Sequence, residues 1–180
     1  MNPWGAPRAF VLALALSCLI APPAGATSVA SKSLDEIVHG SDHALLATVV
    51  RVDMVDGLGR PVEDREARTG PGLRNRIRLH LDVREVLSTN CSRQPRRVTV
   101  ALWSMWHYSL GAIRDQVQGS EGIFLLKGAD FEPAYYEDFQ RAIEERPQIQ
   151  ARLDALRLQR KPERIDCRQD SLHVSPANPA

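Results

Sequence analysis

The stretch from Asn75 to Leu87, NRIRLHLDVREVL, constrains this chain more than any other. Ile77, Leu79, Leu81 and Val83 alternate there with Arg76, Arg78, His80, Asp82 and Arg84. A strand sends successive side chains to opposite faces, so strict period-two alternation predicts a β-strand with one face on a core and the other in water. Ala44 to Val55, ALLATVVRVDMV, repeats the pattern. It groups Leu46, Thr48, Val50, Val52 and Met54 on one face and Ala47, Val49, Arg51, Asp53 and Val55 on the other. Two such strands flanking Asp56 to Arg74 predict an extended hairpin with a long tip. The tip carries four glycines, two prolines and mixed charge, which predicts an exposed, mobile loop.

Shorter signals complete the pattern. Val98, Val100 and Leu102 alternate within Arg96 to Trp103 and predict a third strand. After Gly122, the continuous apolar run Ile123 to Leu126 predicts a strand buried on both faces. Ahead of the strands, Ser33 and Glu36 have the spacing of a capping box. Leu34, Ile37 and Val38 form one helical stripe, and Gly40 stops it. Ser104 to Ser120 is ambiguous: Leu110, Ile113 and Val117 are spaced for a helix, but Gly111 interrupts. From Tyr135 the period becomes helical. Phe139 and Ile143 suggest one helix, and Pro147 then opens a second, carrying Ile149, Leu153 and Leu156, with a break at Arg146. Lys161 to Ala180 is polar, and is expected to be extended or frayed unless Cys167 ties it down.

Met1 to Ala26 has the order of a secretory leader: Arg8, an apolar run from Ala9 to Ala21, then Pro22-Pro23 and the small-residue site Ala24-Gly25-Ala26. The run is too short for a spanning helix, and the mature chain is expected to start at Thr27 in the periplasm or outside the cell. Cys18 within the run raises lipid anchoring as an alternative, although the Ala24-x-Ala26 site explains the same segment. Without the leader, 22 basic and 22 acidic residues remain, so nothing electrostatic favours nucleic acid or an anionic membrane surface. The remaining length suits one domain with its own core. Cys91 and Cys167 also remain, and an even number in an exported chain suggests a disulfide; separate thiols are the alternative.

The residues with chemical potential are few. His39 and His43, four apart, would share one face of a continuous helix as metal ligands. Gly40 interrupts that helix and no third ligand is defined, so no metal is expected. His80 lies on the outer face of its strand, between Arg78 and Asp82. His107 sits among Trp103, Trp106 and Tyr108, a cluster able to stack on a sugar, a peptide or a ligand ring, or else to fill gaps under a loop. Ser120 lacks the glycine spacing of a nucleophile elbow, and no glycine-rich loop opens a helix as a phosphate cradle requires, so no cofactor is expected. Arg76, Arg78, Arg84, Arg96 and Arg97 form the best basic patch, interleaved with Asp82 and Glu85.

Four pieces, SLDEIVHGSD, ALLATVVRV, RLHLDVREVL and VTVALW followed by SEGIFLLKG, taken in order, resemble a group of small exported bacterial proteins with an OB-like barrel. That group is related in fold to netrin-like and TIMP-like domains, and the resemblance runs from Ser33 to Lys127. It implies a mainly β chain: an OB-like five-stranded antiparallel barrel over 27–130, with an N-terminal helix, and C-terminal helices and tail over 131–180 on the same domain. TIMP-type inhibition uses a cysteine at the mature amino terminus to chelate the protease zinc. The residue expected there is Thr27, which argues against that mechanism. The expected function is an exported binding module for a protein or small ligand of the cell envelope, using the Gly57 to Arg74 loop and Trp103, Trp106, His107 and Tyr108. The alternatives are a periplasmic hydrolase built on His107 or His80, and a structural accessory domain of an envelope assembly docking through its trailing helices.

Overall fold

The computed structural model describes residues 31–159 and 164–167. The leader expected over Met1 to Ala26, Cys18 included, and the tail beyond Cys167 lie outside the described residues. Contacts divide the chain into Met1–Ser31 and Lys32–Ala180, and the elements below all belong to the second unit.

Helix α1 (Leu34–His39) starts where the capping box places it. Ser33 Oγ accepts the Glu36 N–H at 3.3 Å, and the Glu36 carboxylate accepts the Ser33 N–H at 2.8 Å. Strand β1 (His43–Val55) follows at once and pairs antiparallel with β2 (Arg76–Thr89), which pairs with β3 (Arg97–Ala101). Helix α2 (Leu110–Val117) leads into β4 (Glu121–Lys127) on the other side of β1. The two-residue strands β5 (Glu132–Pro133) and β6 (Gln140–Arg141) both pair with β4. A 3-10 turn at Ile143–Glu145 then runs into helix α3 (Arg146–Gln159). The strand order β3-β2-β1-β4-β5 makes a curled antiparallel half-barrel, so the architecture is mainly β with flanking helices. No helix among the described residues is long and apolar enough to cross a membrane.

Two cores share this sheet. Inside the curl lie Leu45, Ala47, Val49, Ile77, Leu79, Leu81, Val98, Val100, Phe124 and Leu126. On the opposite face α1 and α3 cover Ala44, Ile123 and Leu125 with Ile37, Val38, Ile149 and Leu153. The unbroken apolar run of β4 follows directly: Phe124 and Leu126 point into the curl, and Ile123 and Leu125 face the helices.

Two sequence expectations are corrected by the structure. The faces of β1 do not persist along its length. A register irregularity between Val49 and Arg51 leaves Val50 and Arg51 both exposed, so Val49 and Val52 face the same core. No α-helix forms between Tyr135 and Ala142. Phe139 is buried in the curl and its carbonyl accepts the Leu125 N–H at 2.7 Å, because pairing to the β4 edge outweighs a helical spacing of only two residues. The single trailing helix begins at Arg146, with Pro147 in its first turn where a missing N–H is harmless. The loop from Asp56 to Arg74 is largely exposed, as expected, with Thr69 and Gly70 buried against the segment that precedes α2.

The ambiguous stretch resolves as α2, capped by Ser109, whose side chain accepts the Ala112 N–H. Cys91 and Cys167 are disulfide-bonded with their Cα atoms 5.5 Å apart. The tail segment is held as backbone too: the Ile165 N–H donates to the Asn90 carbonyl at 2.7 Å, and the Ser92 N–H to the Ile165 carbonyl at 2.9 Å.

Candidate functional site

The half-barrel is open along a seam between the end of β3 and the chain from Asp130 to Ala142. The loop and the aromatic cluster singled out in the sequence meet beside this seam. Thr69, almost fully buried, donates its hydroxyl proton to the Trp106 carbonyl at 2.5 Å and accepts the Tyr108 N–H at 3.2 Å. Its own N–H donates to the Tyr108 carbonyl at 2.9 Å. Further back, Ala67 and Arg65 carbonyls accept the N–H groups of Leu110 and Gly111, and Arg65 pairs with Asp115 at 2.6 Å. The loop thereby satisfies its backbone against the start of α2, which composition alone could not reveal. At Gly70, with φ +152°, a side chain would collide with the His107 ring: a Cβ there would lie 2.5 Å from Nδ1.

Held this way, the aromatic residues stand at the surface. Trp103 stacks on Tyr136 at 5.6 Å with the rings 24° apart. Trp106 lies 6.1 Å from Trp103 and 6.1 Å from Tyr108. Trp106 is 39% exposed and Tyr136 37%, more than a gap-filling role requires. Leu102 and Tyr136 divide the seam into two chambers. The first, of ≈ 450 Å³, is bounded by Arg76, Arg78, Thr99, Trp103, Phe131 and Glu132. The second, of ≈ 500 Å³, is bounded by Tyr108, Ile113, Val117, Glu121, Phe139 and Gln140. Burial raises the Tyr136 hydroxyl pKa, as does the charge of Glu132, while Arg76 opposes both. Tyr108 is raised by burial and by Glu137. Both phenols therefore stay protonated and able to donate.

On the outer face of the sheet, meeting the first chamber at Arg78 and Thr99, charges gather around Asp53. Its carboxylate accepts two hydrogen bonds from Arg78, at 2.8 and 2.9 Å, and one from His80 Nε2 at 2.9 Å; Arg51 is 3.1 Å away. Burial alone would raise the Asp53 pKa, but hydrogen bonds from His80 and Arg78, then their charges, outweigh it and hold the group well below the usual carboxylate range. On its other side, His80 Nδ1 faces Thr99 Oγ1 at 3.0 Å. His80 is therefore more than a solvated member of a cross-strand pair.

The remaining candidates are placed elsewhere. His39 is exposed on α1, with Nδ1 at 3.2 Å from the Asp35 carbonyl. His43 is fully buried on β1 between Thr89 Oγ1, at 2.9 Å, and the Gly128 carbonyl, at 3.0 Å. The turn at Gly40 separates the two, so they do not share a face. Burial lowers the His43 pKa, and the nearest sulfurs belong to the Cys91–Cys167 disulfide, with Cys91 Sγ 3.7 Å from His43 Nδ1. Ser120 donates to the Val117 carbonyl at 2.7 Å, which makes it a turn residue. The basic patch is partitioned, with Arg78 on Asp53, and Glu85 drawn to Arg146 at 2.6 Å.

The sequence reading missed Tyr136, Asp53 and Thr99. Tyr136 lies well beyond the cluster it completes, on the far side of α2 and β4. Asp53 and Thr99 become neighbours of His80 only through strand register, which the irregularity in β1 shifts.

No family model, no curated protein and no solved structure matches the chain.

Proposed function

We propose that the domain is an exported binding module whose ligand lies along the seam, against the Trp103–Tyr136 wall. The carrying observation is that stacked pair: two aromatic faces, partly exposed, beside a chamber of ≈ 450 Å³ with cationic and anionic groups on its rim. Flat aromatic surface with a few converging polar groups suits a sugar ring, a planar side chain or an extended peptide. The docked Asp56 to Arg74 loop supports this by fixing the backbone of the cluster before a ligand arrives, which reduces the ordering cost of binding. The half-barrel is what relatedness to netrin-like domains would require, and export through the Met1 to Ala26 leader would place the module in the periplasm or outside the cell.

Two observations weigh against a hydrolase built on His107 and against docking through the trailing helix. His107 is exposed and packs on Gly70, and neither chamber is bounded by it, which leaves a hydrolase built on His107 without a substrate pocket. The stripe of α3 is covered, with Ile149 and Leu153 in the second core, so the trailing helix offers little apolar surface for docking, Leu158 aside.

Tryptophan fluorescence, titrated with cell-wall glycan fragments and with short synthetic peptides, tests the binding module. A saturable change that weakens at least about tenfold in Trp103→Ala, in line with the ~1 to 3 kcal/mol such stacking contributes in other grooves, is expected. Saturation unaffected by that substitution, or its absence across both ligand classes, would overturn the proposal.

A further inference from the structure

Three side chains on adjacent strands stand in line across the outer face of the sheet: Asp53 of β1, His80 of β2 and Thr99 of β3. The Asp53 Oδ2 to His80 Nε2 distance is 2.9 Å, and His80 Nδ1 to Thr99 Oγ1 is 3.0 Å. An ionised carboxylate accepts only, so Nε2 donates to Asp53, with Arg51 Nη2 also 3.1 Å from that nitrogen. When the imidazole is neutral its Nδ1 lone pair faces the Thr99 hydroxyl, which then donates to it. Carboxylate, imidazole and hydroxyl in this order, each within hydrogen-bond reach of the next, are the parts of an acyl-transfer triad, which is recognised by geometry and roles rather than by chain order. Thr99 also bounds the first chamber, which places the triad at the edge of the groove. Arg76 borders the same space and brings positive charge to it, while Arg78 is held by Asp53.

We propose that Thr99 is a nucleophile and His80 its general base, oriented by Asp53, acting on an ester with a planar acyl or leaving group seated against Trp103 and Tyr136. In the first half, Thr99 Oγ1 bonds to the ester carbonyl carbon and its proton passes to His80 Nδ1. The bond from that carbon to the alkoxy oxygen then breaks, and the departing alcohol takes the proton. In the second half, water attacks the Thr99 ester, its proton goes to His80 and then to Thr99 Oγ1, and a carboxylic acid leaves. No redox partner is needed. The activity uses the groove of the binding module but adds a covalent step that retention of a ligand does not require.

The test uses the full chain and 4-nitrophenyl acetate as the probe. The expected result is a burst of 4-nitrophenolate and one acetyl group mapped by mass spectrometry to the peptide holding Thr99. Thr99→Ser keeps the burst, Thr99→Ala abolishes it, and His80→Gln slows it by about 10² or more. The charged groups facing His80 are Asp53 and Arg51 on β1 and Arg78 on its own strand, with Thr99 contributed by β3. Acetylation that persists in Thr99→Ala, no acetylation in the wild type, or a rate indifferent to His80→Gln would overturn the proposal. Saturable tryptophan quenching retained in Thr99→Ala shows that such a failure belongs to the covalent step and leaves the binding module standing.

Discussion

Asp53 shows how one carboxylate can organise a whole sheet face. It takes hydrogen bonds from Arg78 and His80 while its side chain is about a fifth exposed, so the anion is favoured in the folded chain despite partial burial. Because its folded pKa lies below the unfolded value, the unfolded chain takes up the proton first on acidification. The stability that Asp53 contributes is thus complete above the ordinary carboxylate value of 3.8 and is lost as pH falls towards the depressed folded value. Asp53→Asn is expected to lower stability at pH 7 by about 1 to 2 kcal/mol, discounted for solvent screening. Urea midpoints for the two proteins should converge as pH drops below 4. A constant gap across that range would assign the loss to packing instead.

At the scale of elements, hydrogen-bond accounting decides what sequence periodicity leaves open. The loop after β1 looked unable to bury itself, yet Thr69 exchanges three hydrogen bonds with Trp106 and Tyr108 and fixes the aromatic segment. Thr69→Val keeps the volume and removes the hydroxyl, leaving the Trp106 carbonyl and the Tyr108 N–H short of partners, for a loss of about 1 to 3 kcal/mol. Hydrogen exchange should quicken at Tyr108 and its neighbours while β2 stays protected; uniform protection would show that the loop is held by other contacts. The missing helix before Ala142 has the same origin. Phe139 and Ile143 offered a weak helical spacing, whereas the β4 edge offered real partners to Phe139 and Gln140. Where two long segments alternated, as in β1 and β2, or a cap was spelled out, as at Ser33, local sequence sufficed, because the side chains themselves carry the face preference and the cap.

For the whole molecule, one covalent link spans 76 residues and ties the segment after α3 to the end of β2. In the chain-entropy picture, closing a loop of that length stabilises by about 4 to 5 kcal/mol. Replacing Cys91 and Cys167 by alanine should lower the urea midpoint accordingly and release residues 164–167 to rapid exchange, while β4, sandwiched between the two cores, remains the slowest to exchange. An unchanged midpoint would mean that the tail adds nothing to the fold.

Alternating apolar residues, one capping box and one doubly apolar run were enough to specify strands, a leading helix and a mainly β chain, since each acts over a few neighbouring positions. They also brought Trp103, Trp106, His107 and Tyr108 to notice as a group. Only tertiary structure could bring Tyr136 onto Trp103, seat Thr69 beneath the cluster and align Asp53 with His80 and Thr99. Those meetings depend on strand register and on where the curl stops, and both are fixed by long-range pairing and core packing that no local pattern encodes.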